Sequence, residues 1–183
     1  VQVQNAGTVA GNICNASPAA DGMPPLLALD AQVELASERG MRHVPLTEFV
    51  TGPRQISREK DEVVTAVLIP EASAAGHSRF LKLGARKHLV ISIAMVAVRL
   101  VIEDNVITAA AVSVGACGPV ARRAISLEKE LVGCATSGAD RLVCLDLLDD
   151  VLAPISDVRG DADYRYEAAV ELVRRAVRDV IGE

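Results

Sequence analysis

The stretch "NAGTVAGNICNASPAAD" (residues 5–21) gathers residue types that bind charge without adding bulk. Gly7 and Gly11, set among alanines, let a backbone come close to a ligand and adopt positive φ. Successive N–H groups in such a turn make a concave nest for an anion. The Thr8 hydroxyl and the Asn12 amide would add donors, and Asp21 would accept from a ribose or other hydroxyl. Two readings compete: a loose surface turn, or a backbone wrapped around something anionic. Composition alone leaves both open.

The other chemistry-bearing residues are less organised. His43, His77 and His88 are scattered, with no Ser, Cys or carboxylate in a recognisable relation to them, so no catalytic triad is expected. Arg86, Lys87 and His88 form a small basic cluster just after Lys82; it reads as a solvated turn before a phosphate contact. Lys82, taken alone, is a surface lysine on an edge strand. Asp146, Asp149 and Asp150 read as a solvated face and not a metal site. Near the C-terminus, Ser156 or Asp157 is expected to cap a turn, Asp163 to sit near a helix start, and Tyr164 to supply scarce aromatic bulk. Cys14, Cys117, Cys134 and Cys144 form no CxxC and have no His at ligand spacing, so reduced, mostly buried thiols in a cytosolic protein are expected, without zinc or an iron–sulfur cluster. No catalytic residue and no metal ligand set is assigned.

The elements that would position these residues follow from bulk properties. The chain has 183 residues, enough for one ordinary domain or two small ones. It is 50% hydrophobic but only 2% aromatic, with no Trp, so its core must be built from Val, Leu, Ile and Ala. Net charge is -5 with both signs dispersed; without a basic stripe or aromatic platform, nucleic acid is not an expected partner. The longest apolar run, 88–102, is cut by Arg99 and too short to span a bilayer. No signal peptide is visible, and the start at Val1 fits a processed or excised piece.

Periodicity and turn residues predict a short buried helix over "PPLLALDA" (24–31) opened by Pro24 and Pro25, and a hairpin over 31–46. A helical turn at 46–52 and a strand at 62–70 follow. The small polar stretch 71–78 marks a domain boundary, giving domains 1–73 and 74–183. The second domain is predicted to open with strands at 79–86, 91–104 and 106–118, the last two joined by a turn at Asp104–Asn105. Helices at 121–133, 137–154 and 161–183 complete it. Sheet followed by helices, without alternation, indicates an α+β fold.

The same stretches carry a resemblance. "TVAGNICNASPAAD" resembles the T-[IV]-G-G-N…S-P-A-A-D signature of the flavin-binding (medium) subunit of molybdenum hydroxylases, the group of xanthine dehydrogenase and carbon monoxide dehydrogenase. "PPLLALDAQVEL", "RHVPLTEFVTGPR", "DEVVTAVLIP", "FLKLGARK" and "SDVRGDADYR" resemble its successive elements, in order, over nearly the whole chain. The resemblance implies a partial FAD-binding lobe of the PCMH-like kind, then a C-terminal domain of three-stranded antiparallel sheet plus a three-helix bundle. It implies that Thr8, Ala10, Gly11 and Asn12 lie at the FAD pyrophosphate, that Asp21 hydrogen-bonds the FAD, and that Val64 contacts the cofactor. Lys82 would lie near the isoalloxazine end, where a cation steadies negative charge on the reduced ring.

The implied work is electron transfer. A large molybdopterin subunit hydroxylates substrate, a small subunit with [2Fe–2S] clusters passes electrons on, and FAD in this subunit hands them to an external acceptor. Two departures stand out. Ala10 replaces the usual first glycine of the G-G pair, and the upstream A-G-G-T-D-L-like second FAD loop has no counterpart. The chain is therefore expected to be a piece lacking the N-terminal lobe, inactive by itself, with apolar surface inviting a homodimer. The rival reading is a subunit-docking module that binds no flavin. A flavin oxidase of the vanillyl-alcohol-oxidase type is disfavoured by "SDVRGDADYR".

Overall fold

A computed structural model describes residues 5–182; the expected domain limits at 1 and 183 and the final residue of the expected helix 161–183 lie outside the described residues. The opening stretch forms a short helix, α1 (Val9–Cys14), and a second, α2 (Met23–Ala28), follows. The two prolines of α2 stand in its first turn, where a missing N–H costs nothing. Strands β1 (Gln32–Ser37) and β2 (Gly40–Pro45) form the expected hairpin, paired from Gln32 with Pro45 to Ser37 with Gly40. A single turn, α3 (Leu46–Phe49), leads into the small ribbon β3 (Val50–Gly52) and β4 (Gln55–Ile56). Strand β5 (Val63–Leu68) then adds to the free side of β1, giving the sheet order β2-β1-β5. Alternation along β1 turns Val33 and Leu35 inward, where they join Ile13, Leu27, Leu46 and Phe49 in one apolar core.

The second half is a sheet with order β6-β7-β8-β9, made of β6 (His77–Leu83), β7 (Ala94–Glu103), β8 (Val106–Gly115) and the two-residue β9 (Arg122–Arg123). Asp104 and Asn105 both take positive φ, the conformation that matches a tight hairpin turn to strand twist. Two helices follow, α4 (Ile125–Leu131) and the long α5 (Ala162–Ile181). The Asp161 side chain caps α5 by accepting from the Tyr164 N–H, and Ala169, Val173, Ala176, Val177 and Val180 are buried against the sheet.

Strand β7 is buried on both faces from Ala94 to Leu100, which explains an apolar run interrupted only by the buried Arg99. Val96, Val98 and Leu100 belong to the core that α5 covers. Ala97 instead meets Ala28 of α2 and Ala111 of β8. The second half is thus a sheet sandwiched between its own long helix and a helix from the first half.

The α+β order of sheet then helices is as expected, but the three strands and three helices are corrected in detail. The sheet has a short fourth strand, because Arg122 and Arg123 pair with Val114 and Ser113 and delay the predicted helix 121–133 until Ile125. The predicted helix 137–154 is a single 3-10 turn, Ala139–Leu142, followed by tight turns. There the N–H groups of Leu148 and Val151 bond three residues back, to Leu145 and Leu148, and bury Leu148, Val151 and Leu152 without an α-helix. The strands 79–86 and 91–104 are shorter than expected, which leaves a loop at 84–93. Tyr164 is 45% exposed and is not core bulk; Tyr166 is the tyrosine packed on the core, its hydroxyl donating to the Leu152 carbonyl at 2.9 Å. Of the cysteines, only Cys117 is fully buried, and Cys144 is exposed.

Candidate functional site

The glycine-rich opening is a capped helix start and not a wrapping loop. Thr8 is extended, and its Oγ1 accepts from the Gly11 N–H at 2.9 Å. A Cβ on Gly11 would lie 2.9 Å from that oxygen, so the cap itself requires glycine there. Ala10 has ordinary helical φ and is half-buried in α1, so its methyl is accommodated by the backbone. Asn12 Oδ1 accepts from the Gly22 N–H at 3.1 Å, tying α1 to the start of α2, and a Cβ on Gly22 would sit 2.7 Å from it. Both side-chain oxygens are thus engaged internally; the donors an external anion would use are the Thr8 O–H and the Asn12 amide group. Thr8, Val9 and Gly11 are exposed, so this turn faces open space. Val64, half-buried on β5, packs on the apolar core that contains Ile13 of α1.

Asp21 and Lys82 are brought into contact from the two halves of the chain. Lys82 Nζ donates to Asp21 Oδ2 at 2.5 Å and to the Val90 carbonyl at 2.8 Å. Ser92 Oγ donates to Asp21 Oδ1 at 2.6 Å. Lys82 is therefore no ordinary surface lysine: it sits on an edge strand, but its side chain is 25% exposed and held by a carboxylate and a carbonyl, with one N–H left over from these two bonds. Asp21 keeps 47% of its side chain open, so the clasp is reachable from outside. Beside it, Arg86 donates back to the carbonyls of His88 and Leu89, while Lys87 and His88 are exposed. The basic cluster folds its own turn.

Behind Ser92 lies a cavity of about 610 Å³. Ser17, Pro18, Ile91, Ala116, Ile155 and Arg165 are among the residues that line it, so the "NASPAAD" and "SDVRGDADYR" stretches meet across it. Arg165 is 3% exposed and holds its walls: Nη1 donates to the carbonyls of Ile93 at 2.7 Å and Ala116 at 3.1 Å, and Nη2 to Asp157 at 2.6 Å. The Arg159 N–H together with the Arg165 and Arg159 guanidinium groups holds the Asp157 carboxyl down at about 2. Ser156 accepts from the Ala162 N–H and Asp157 from the Arg159 N–H, so the capping role expected of Ser156 or Asp157 is what is seen, while Tyr164 departs from its expected place in the core.

Sequence reasoning missed Ser92 and the architectural part of Arg165. A lone hydroxyl in the apolar run 88–102 was the available signal for Ser92. Nothing local marks Arg165, whose partners are 8 to 72 residues away.

Comparison with known proteins matches this arrangement. A family model described as the FAD binding domain in molybdopterin dehydrogenase matches residues 1–72, and one described as the CO dehydrogenase flavoprotein C-terminal domain matches residues 79–180. The nicotinate dehydrogenase FAD-subunit of Eubacterium barkeri is 31% identical, the alignment covering 100% of this chain and 63% of that protein. The nicotine 6-hydroxylase medium subunit of Paenarthrobacter nicotinovorans is also 31% identical, over 96% of this chain and 61% of that one. Among solved structures, carbon monoxide dehydrogenase from Hydrogenophaga pseudoflava superposes with a TM-score of 0.91 at 29% identity, over 99% of this chain and 63% of the other. Quinoline 2-oxidoreductase from Pseudomonas putida 86 gives 0.88 at 29%, over 100% and 63%. The chain thus spans less than two thirds of the length of these relatives. With both halves matched in order by the two domain models, the chain belongs to the FAD-binding medium-subunit family of the molybdenum hydroxylases, the flavoprotein components of xanthine and carbon monoxide dehydrogenase-type oxidoreductases.

Proposed function

We propose that this chain supplies part of an FAD site and serves as the electron-transfer station of a molybdenum hydroxylase. The observation that carries the reading is the clasp of Asp21 by Lys82 and Ser92, set at the end of the segment that begins with the Thr8 cap. The residues fit the group. At the start of α1 the Thr8 O–H and the Asn12 side-chain amide offer donors to a pyrophosphate, beside Ala10 and the exposed, side-chain-free Gly11. Val64 gives an apolar contact, and Asp21 has an open side for a ligand hydroxyl. Lys82, paired with Asp21, would supply a cation to steady negative charge on the reduced ring. FAD, when bound, supplies a ring that takes up and gives back electrons.

In this reading, electrons arrive from a small [2Fe–2S] subunit fed by a large molybdopterin subunit, and substrate chemistry resides on that large subunit. The four unpaired cysteines suit a reducing compartment, and we place the assembly in the cytoplasm. The test is a visible absorbance spectrum of the protein after incubation with FAD and gel filtration. Retained flavin absorbance that is weakened by both Asp21→Ala and Lys82→Ala supports the reading. With the whole protein, absent flavin, or flavin indifferent to both changes, refutes it and leaves subunit docking as this chain's role.

A further inference from the structure

The clasp joins residues 61 apart in sequence, and something must hold the two halves in register for it to close. Helix α2 begins directly after Asp21 and Gly22 and lies across β7, β8 and β9 of the second half. Its approach is close. Ala28, Ala97 and Ala111 meet face to face, and Ser113 Oγ donates to the Pro24 carbonyl at 2.7 Å. A Cβ on Gly115 would lie 3.0 Å from Pro24 Cγ and 2.5 Å from Met95 Cε.

The far end of α2 is gripped by two arginines of the second half. Arg99 Nε donates to the Ala28 carbonyl at 2.8 Å, and Arg123 Nη1 to the Leu27 carbonyl at 3.0 Å. Both also reach Asp30, just past the helix: Arg123 to Oδ1 at 2.6 Å and Arg99 to Oδ2 at 3.2 Å. Ser73, in the connection between the halves, donates to the same Oδ2 at 3.0 Å. Arg123 is held from behind by Glu128, through Nε at 2.5 Å and Nη2 at 2.8 Å, and Glu128 Oε1 also accepts from the Val112 N–H. Arg99 is 8% exposed and the Arg123 side chain 13%, so the guanidinium groups are enclosed, although Asp30 itself is half open to solvent; the bonds are charge-assisted and directional. Guanidinium forks also suit this role geometrically, since each reaches a carbonyl and a carboxylate at once.

The helix is therefore a strut. One end carries Asp21 and is tied to Asn12 through Gly22; the other is fixed to the sheet by Arg99 and Arg123. At about 1.5 Å per residue, sliding or fraying of one residue would exceed the tolerance of a 2.5 Å contact. We infer that Arg99 and Arg123 are positioning residues for the clasp: through α2 they hold Asp21 where Lys82 and Ser92 reach it. This rests on the flavin reading of the clasp.

The test uses the whole protein loaded with FAD. Arg123→Met leaves Glu128 unpaired and risks misfolding, so the double variant Arg123→Met with Glu128→Gln removes the pair together. Arg123→Lys keeps the charge but loses the fork. Three quantities are read: amide hydrogen exchange at Gly22–Ala28, the FAD dissociation constant, and the flavin midpoint potential. Lys82→Ala is the reference for the clasp itself. The expected result is faster exchange in α2, FAD binding weakened about tenfold, and a potential shifted in the same direction as in Lys82→Ala, with Arg123→Lys intermediate. If Lys82→Ala shifts the potential while the double variant, still cooperatively folded, leaves FAD affinity within about twofold of the parent and the potential unshifted, the arginines do not position the clasp. If Lys82→Ala itself changes neither quantity, the flavin reading of the clasp falls first, and this inference with it.

Discussion

Gly76 stands where the chain enters β6, with φ of +90°. Replacing it with alanine imposes two separate costs. A side chain in the left-handed region costs about 1–2 kcal/mol. The new Cβ would also lie 2.2 Å from the Leu100 carbonyl oxygen and 3.1 Å from Val101 Cγ2. The first is a backbone atom of a central strand and cannot swing away, so the entry to β6 must lift off β7 at the His77–Leu100 pair. Overpacking of that kind adds about 1–3 kcal/mol. Gly76→Ala should therefore cost about 2–5 kcal/mol and lower the melting temperature by roughly 5–15 °C for a chain of this size. Gly133 separates the two terms, because it has φ of +88° but no atom within 4 Å of its would-be Cβ. Gly133→Ala should cost only the conformational part, about 1–2 kcal/mol. Urea melts of both variants measure the difference. Equal costs would refute the close approach of residue 76 to β7.

On β7, Ala97 faces the strut α2 and its neighbour Val98 faces the core under α5. Ala97→Leu should wedge α2 away and weaken FAD binding more than its overpacking cost of about 1–3 kcal/mol would indicate, whereas Val98→Ala should lose about 1–3 kcal/mol of stability and keep FAD affinity; paired titration and denaturant melts decide this. Glu62 is held at about 2 by the Arg42 side chain and the Glu59 N–H, and Asp157 at about 2, against ordinary values of 4.5 and 3.8. Because both are depressed in the fold, their stabilisation is complete above the ordinary values and is lost as pH falls toward 2. The melting temperature should fall across that window, and Glu62→Gln should lessen the acid slope. Burial pushes the Cys117 thiol up to about 11, while Cys144 is exposed. Alkylation followed by mass spectrometry should label Cys144 in the native protein and Cys117 only after unfolding.

The legible parts of the fold are those with a regular period and one competing environment. Val33 and Leu35 alternate along β1, and Ala169, Val173, Ala176, Val177 and Val180 recur at helical spacing along α5. The stretch 137–154 misled because its apolar residues anchor consecutive turns and not one helical face. A two-residue strand such as β9 has no period to read; its pairing comes from β8. The candidate site divides in the same way. The Thr8–Gly11–Asn12 segment is local, and its residue types announce a cap or a nest before any fold is known. Lys82 taken alone reads as an unremarkable surface residue, because its partner is 61 residues away. The family resemblance implied separate FAD contacts for Asp21 and Lys82 and did not bring the two together, nor did it include Ser92.

Where the chemistry sits follows from this division. Asp21 belongs to the first half; Lys82 and Ser92 belong to the second, so neither half contains the clasp. A site split across a junction is only as well defined as the junction. An interface of large aliphatic side chains can repack around a shift of an ångström or two, since rotamers absorb the change. An interface of Ala28, Ala97, Ala111 and Gly115 has no rotamers to spend, and any slide brings backbone against backbone. The directional bonds from Arg99, Arg123 and Ser113 then choose one register among those that the small residues permit. Close packing supplies stiffness and charge-assisted bonds supply position. An aromatic share of only 2% fits this strategy, for bulky rings would hold the halves too far apart for a lysine and an aspartate to meet at 2.5 Å.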